Sequence, residues 1–197
     1  MDGQCIMHDV SSDGRYLVFL CDRDKQMNLF VYDSEKDVVD KLTEYEKPVD
    51  SASIDPDGEK IAYTTNESDD LNNRDVYLCD VDGSNKRKLD IGEEGYKTEN
   101  RGWSSDGKHL LLKDNTTDMP RAGIYNVDEK TVEWLGSDDF EEIAFCFTPD
   151  GDNALGIRIK DATWRPVILS SEGKVRELEL TEGVAMFPIL GRRSVFT

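Results

Sequence analysis

The sequence predicts an all-β protein made of repeated four-stranded units, on three observations. One short turn occurs four times: Val10-Ser11-Ser12-Asp13-Gly14, Ile54-Asp55-Pro56-Asp57-Gly58, Trp103-Ser104-Ser105-Asp106-Gly107 and Phe147-Thr148-Pro149-Asp150-Gly151. Its glycines lie 44, 49 and 44 residues apart, a spacing typical of stacked or radially arranged units. Turn residues recur every ten residues or so and no stretch keeps a helical period, which argues for short strands throughout.

Each turn copy has the same logic. An apolar residue closes a first strand, and a short oxygen-bearing side chain (Ser11, Asp55, Ser104 or Thr148) can bond the backbone ahead. Asp-Gly then supplies the positive φ of a tight hairpin through Asp13-Gly14, Asp57-Gly58, Asp106-Gly107 and Asp150-Gly151. The first strands are Cys5 to Val10, Asp50 to Ile54, Asn100 to Trp103 and Ile143 to Phe147. Second strands follow at Tyr16 to Leu20, Ile61 to Tyr63, Leu110 to Leu112 and Ala154 to Ile157. After variable polar loops come third strands at Leu29 to Asp33, Val76 to Asp80, Ile124 to Asp128 and Val167 to Ser171. A short fourth strand recurs in step near Leu42, Leu89, Leu135 and Leu178.

Four-stranded units of about 45 residues are the blades of a β-propeller. A β-sandwich also has many short strands, but nothing in it repeats one turn at one place four times. The expected blades are 5–43, 49–90, 97–136 and 141–180, with the start of a fifth at 184–197, where Val184 to Ile189, Leu190 to Arg193 and Ser194 to Thr197 read as strand, turn and strand. Six to eight blades need roughly 270 to 360 residues, so these 197 are expected to be part of a six- to eight-bladed ring. An open arc leaves unpaired edges, which natural sheets avoid. A closed four-bladed ring or two chains completing one ring are the alternatives, the latter by self-association through the open edges.

The turn pattern, together with Val76-Tyr77-Leu78-Cys79-Asp80-Val81-Asp82-Gly83-Ser84-Asn85-Lys86-Arg87-Lys88-Leu89, resembles the WD-like repeats of TolB-type propellers and of prolyl oligopeptidase family propellers, over nearly the whole chain. Leu29 to Asp33 with Leu42-Thr43, the acidic loop Asn66 to Asp75 and Gly102-Trp103-Ser104 are similar to acylaminoacyl-peptidase-like propellers of archaea and bacteria. The resemblance implies a non-catalytic propeller that covers the active-site face of an α/β-hydrolase domain and limits access to small peptides. The catalytic Ser, Asp and His would lie in that other domain, so none is assigned here. The alternative is a TolB-like scaffold for a protein partner.

Composition narrows the setting. With 42 acidic against 24 basic residues the formal charge is −18, which excludes nucleic acid and anionic membrane as partners. The acids spread over turns and loops, as at Asp37 to Asp40, Glu67 to Asp70 and Ser137 to Glu142. That pattern suits either an ordinary acidic surface or salt adaptation in a halophilic archaeon, since the Debye length is only about 3 Å near 1 M salt. Cys5, Cys21, Cys79 and Cys146 form no C-x-x-C pair and read as small buried apolar residues. With no leader and no apolar run of membrane-spanning length, the expected location is cytoplasmic.

Chemistry is sparse. His8 and His109 are the two histidines, on different units and without a ligand cluster. No H-E-x-x-H, nucleophile elbow or glycine-rich phosphate loop occurs, so no catalytic residue, metal site or cofactor is expected. Asp80-Val81-Asp82-Gly83-Ser84-Asn85 begins like a calcium loop but has Asn85 where the loop needs glycine and Ile91 where it needs Glu, so it reads as a hairpin. Asn66-Glu67-Ser68 and Asn115-Thr116-Thr117 fit glycosylation acceptors and read as polar loops. Trp103 and Trp134 are expected in packing positions. Trp164-Arg165 sets an indole beside a cation near a strand start, a combination found at contact surfaces. Arg101 precedes Gly102-Trp103 and could face a central channel, although an ion pair with a nearby acid is the preferred reading.

Overall fold

A computed structural model describes residues 3–137, 139–170 and 172–179. Every regular element among them is a strand, and no described helix is long and apolar enough to cross a membrane. The first sheet comprises β1 (Cys5–Val10), β2 (Tyr16–Cys21), β3 (Asn28–Asp33) and β4 (Val38–Lys41). The second comprises β5 (Ser51–Ile54), β6 (Lys60–Thr65), β7 (Asp75–Asp80) and β8 (Arg87–Lys88). The third comprises β9 (Thr98–Trp103), β10 (His109–Asp114), β11 (Arg121–Asn126) and β12 (Thr131–Leu135). The fourth comprises β13 (Glu141–Phe147), β14 (Asn153–Lys160), β15 (Thr163–Ser170) and β16 (Val175–Glu177). Each is an antiparallel meander in chain order, and the expected fifth unit at 184–197 lies outside the described residues.

The repeated turn is stabilised locally, though not as a two-residue hairpin. In the first copy the Ser11 amide donates to the Tyr16 carbonyl, and Gly14 N–H donates to the Ser11 carbonyl. The Ser11 hydroxyl accepts from Tyr16 N–H at 2.9 Å and donates to Asp13 at 2.6 Å. Glycine alone takes positive φ (75°, 71°, 69° and 81° at Gly14, Gly58, Gly107 and Gly151). In three copies the aspartate before it, Asp13, Asp106 or Asp150, accepts from the turn hydroxyl and from the amide two residues on. Where the second copy has Asp55 in place of the hydroxyl, its carboxylate accepts from Glu59 and Lys60 N–H directly.

Two of the third strands, β3 and β11, end where a side chain takes over backbone donors. Asp33 accepts from Glu35 and Lys36 N–H, and Asn126 accepts from Asp128 and Glu129 N–H. Such turns compete with the ladder, so β11 stops at Asn126 rather than continuing to Asp128.

Alternation along the strands sends apolar residues to both faces of each sheet, and three clusters fill the spaces between successive sheets. Leu20, Val31, Ile61 and Tyr63 belong to the first, Leu78, Leu110, Leu112 and Tyr125 to the second, and Leu111, Ile124, Val167 and Leu169 to the third. Cysteine usage departs from expectation. Cys79 is buried and free, with burial pushing its thiol up to about 12. Cys5, however, is exposed and disulfide-bonded to Cys21, its partner in the β1–β2 register, with the Cα atoms 4.1 Å apart. Neither belongs to the class of free buried thiols that the sequence led us to expect.

Candidate functional site at the inner strands

The first strands of the four sheets lie side by side, β1 against β5, β5 against β9 and β9 against β13. One edge of each is paired within its own sheet, and the other has no strand partner among the described residues. Backbone donors on that edge need other acceptors, and neighbouring sheets supply them from side chains. Ala52 N–H donates to His8 Nδ1 at 3.4 Å and Ile54 N–H to Asp9 Oδ2 at 3.0 Å. Asn100 N–H donates to Thr64 Oγ1 at 2.9 Å, while the buried Asn100 amide donates to Ser53 Oγ and the Ala62 carbonyl. Trp103 Nε1 donates to the Ser53 carbonyl at 3.2 Å, placing this indole between sheets.

Three of these strands carry a β-bulge at one column of the repeat. The register jumps across His8 in β1, Arg101 in β9 and Phe145 in β13. All three lie two residues before the apolar turn residue, and the regular strand β5 has Ala52 there. A bulge re-aims the side chain at the extra residue. The result is convergence: His8, Ala52, Arg101 and Phe145 line a single open concavity of about 810 Å³ whose rim includes the turn residues Ser12 and Pro56.

The polar groups of this concavity are unequally satisfied. Asp9 accepts from Val10 and Ile54 N–H, Asp50 pairs with Arg74, and Asp55 accepts from Glu59 and Lys60 N–H. Burial pushes the His8 imidazole below its ordinary value, partly offset by the Asp9 carboxylate. A neutral ring accepting at Nδ1 carries its proton on Nε2 and remains a donor there. Arg101 Nη2 donates to Glu99 Oε2 at 2.8 Å, and Lys113 Nζ stands 4.0 Å from the same oxygen. The buried Arg101 Nε has no hydrogen-bond partner among the described residues. An unmet buried donor costs about 1–3 kcal/mol.

Arg101 therefore makes the ion pair preferred from sequence and also faces the concavity. Trp164 and Arg165 are elsewhere: both half-buried on β15, with Arg165 Nε 3.9 Å from Glu177, they are not among the concavity's lining. His109 sits on β10, 3.5 Å from Asp106. The calcium-like segment is closed by its own bonds, Asp80 accepting from Ser84 and Asn85. Asn66 is buried, its amide donating to the Asp70 carbonyl, so it presents no accessible glycosylation acceptor. Among the described residues no group of three or more His, Cys, Asp or Glu could hold a metal ion. Phe145 was missed from sequence, and His8 was not connected with Arg101. Aligning the four repeats residue by residue reveals the column they share.

Comparison with solved structures settles the architecture. TolB from Acinetobacter baumannii superposes with a TM-score of 0.71 at 17% identity, over 92% of this chain and 45% of its own. A putative TolB from Agrobacterium tumefaciens gives 0.75 at 16%, over 92% and 64%. The fold is that of a β-propeller. The propeller domain of the Trilobed protease from Pyrococcus furiosus gives 0.64 at 12%, over 91% of this chain and 58% of that one. TolB-type propellers and the propellers of prolyl oligopeptidase family peptidases are thus both among the folds this propeller resembles. The chain spans about half to two thirds of the length of these three structures. No protein-family profile matches it. The four sheets are its blades, and the concavity lies where their inner strands meet.

Proposed function

We propose that this propeller segment is a non-catalytic recognition module whose inner-strand concavity receives a peptide, with any bond-breaking chemistry carried by an α/β-hydrolase domain outside these residues. The supporting observation is the convergence of three bulged side chains on one concavity. A serine nucleophile needs an adjacent base, an orienting acid and an oxyanion hole. The two histidines here lie on different blades, His8 occupied by the Ala52 amide and His109 beside Asp106 and Asn126. In such an assembly the propeller acts by steric filtering of what reaches the hydrolase.

A fluorophosphonate probe tests the reading. The 197-residue chain is expected to remain unlabelled, and the protein extended along the reading frame beyond Thr197 to be labelled at a serine outside this segment. Removing residues 1–197 from that protein should broaden the size range of accepted peptides. Labelling of the short chain that disappears with one Ser→Ala change would overturn the non-catalytic assignment. A second reading, a TolB-like scaffold for a protein partner, is favoured by the TolB superpositions over 92% of the chain. An extended protein that stays unlabelled would select it.

A further inference from the structure

We propose that the inner-strand concavity recognises a carboxylate, with Arg101 as the anchoring group, His8 as a second donor and Phe145 as the ring against which the carboxylate's apolar neighbour packs. This rests on the reading that the concavity receives a peptide and states what it reads there. The acids that line or border the site are already engaged, Asp9 and Asp55 by backbone N–H groups and Asp50 by Arg74. The guanidinium is engaged at Nη2 only, and its Nε has no acceptor among the described residues.

A guanidinium presents two parallel N–H groups to a carboxylate, and this bidentate pair is shorter and stronger than a neutral hydrogen bond. The Arg101 Nε edge is covered in this conformer, so the guanidinium must turn away from Glu99 to present it. Lys113, 4.0 Å from the same Glu99 oxygen, then keeps that carboxylate compensated. The neutral His8 ring can donate from Nε2 while its Nδ1 still accepts the Ala52 amide. Ala52, the small member of the column, leaves room between the larger three. A singly charged planar group suits the site better than a phosphate dianion, because the chain carries a formal −18 and four acids lie near.

Two sources of such a group exist in peptides, the terminal carboxylate and an Asp or Glu side chain. Calorimetric titration with three peptides separates them: acetyl-Gly-Gly-Phe as the free acid, the same peptide as its amide, and acetyl-Gly-Asp-Phe amide. Binding of a carboxylate-bearing peptide at least about tenfold tighter than the plain amide is expected, given the strength of a charge-assisted bidentate pair. Whichever acid-bearing peptide wins identifies the source. Arg101→Gln should remove the preference, Arg101→Lys should retain only part of it, and Phe145→Ala should weaken acid and amide together. Equal binding of all three peptides by the unaltered chain would overturn the carboxylate assignment while leaving peptide reception standing. Absence of binding by all three at millimolar concentration, or a preference that survives Arg101→Gln, would overturn it as well. The comparison on the unaltered chain decides the matter even if a variant fails to fold, and the fluorophosphonate experiment judges the parent reading independently.

Discussion

At Gly58 the backbone holds φ at 71°, and an added Cβ would stand 3.2 Å from the Tyr16 ring. Left-handed backbone costs an ordinary L-residue about 1–2 kcal/mol and a β-branched one more. Gly58→Val is therefore expected to destabilise by about 2 kcal/mol or more in urea denaturation. Gly14 has the same turn geometry with nothing within 4 Å of its missing Cβ. Asparagine tolerates that backbone, so Gly14→Asn should cost well under about 1 kcal/mol. Equal effects of the two substitutions would refute the assignment of left-handed backbone strain at these turns. Asp33 makes a pH prediction at the same scale. The Arg15 guanidinium and the Lys36 and Glu35 amides hold its carboxyl at about 2, against an ordinary 3.8. The folded state therefore binds this proton more weakly than the unfolded chain. Its stabilisation is complete above the unfolded value and is lost as pH falls from about 3.8 through about 2. Asp33→Asn should be less stable at neutral pH and show a shallower acid decline, read from the urea midpoint against pH.

Burial within a blade is not all apolar. In the fourth, the buried Glu142 carboxylate accepts from Arg158 Nε at 2.7 Å and from Ser137 N–H at 2.9 Å. Phe140 lies under the same guanidinium, 4.4 Å from its ring centroid. Removing one partner leaves a buried charge uncompensated, which typically costs 3–5 kcal/mol, whereas replacing both is often neutral. Arg158→Met should thus lower stability by about 3 kcal/mol or more, and Arg158→Met with Glu142→Leu should recover much of it. Failure of the double variant to recover would place the effect in packing rather than charge. The bulges act at this scale too. Between Val10 and Asp9 the β1–β2 register would set Cys5 opposite Asp22, but the extra residue at His8 shifts it by one and sets Cys5 opposite Cys21. One backbone irregularity therefore turns His8 into the concavity and makes the disulfide reachable.

The whole molecule carries a formal charge of −18 spread over its turns and loops. Self-repulsion of that size opposes the compact state and is relieved by screening. The thermal midpoint is expected to rise between dilute buffer and molar potassium chloride, by a similar amount in sulfate at equal ionic strength. A much larger rise in sulfate would assign the effect to strengthened apolar burial, and an unchanged midpoint would remove the case for salt adaptation. The propeller repeat was legible in the chain because each of its signals is local: a glycine at positive φ, a hydroxyl or carboxylate beside the amides it accepts, and a two-residue alternation. Arg101 and His8 could be picked out as isolated chemistry, and the repeat turns Asp13-Gly14, Asp57-Gly58, Asp106-Gly107 and Asp150-Gly151 could be placed. Cys5 pairing with Cys21, the engagement of Asp9, Asp50 and Asp55, and the meeting of His8, Arg101 and Phe145 at one concavity were decided only in three dimensions. Each depends on register and on neighbouring blades. A one-residue bulge changes which side chains face one another while leaving hardly a trace in the hydrophobic pattern.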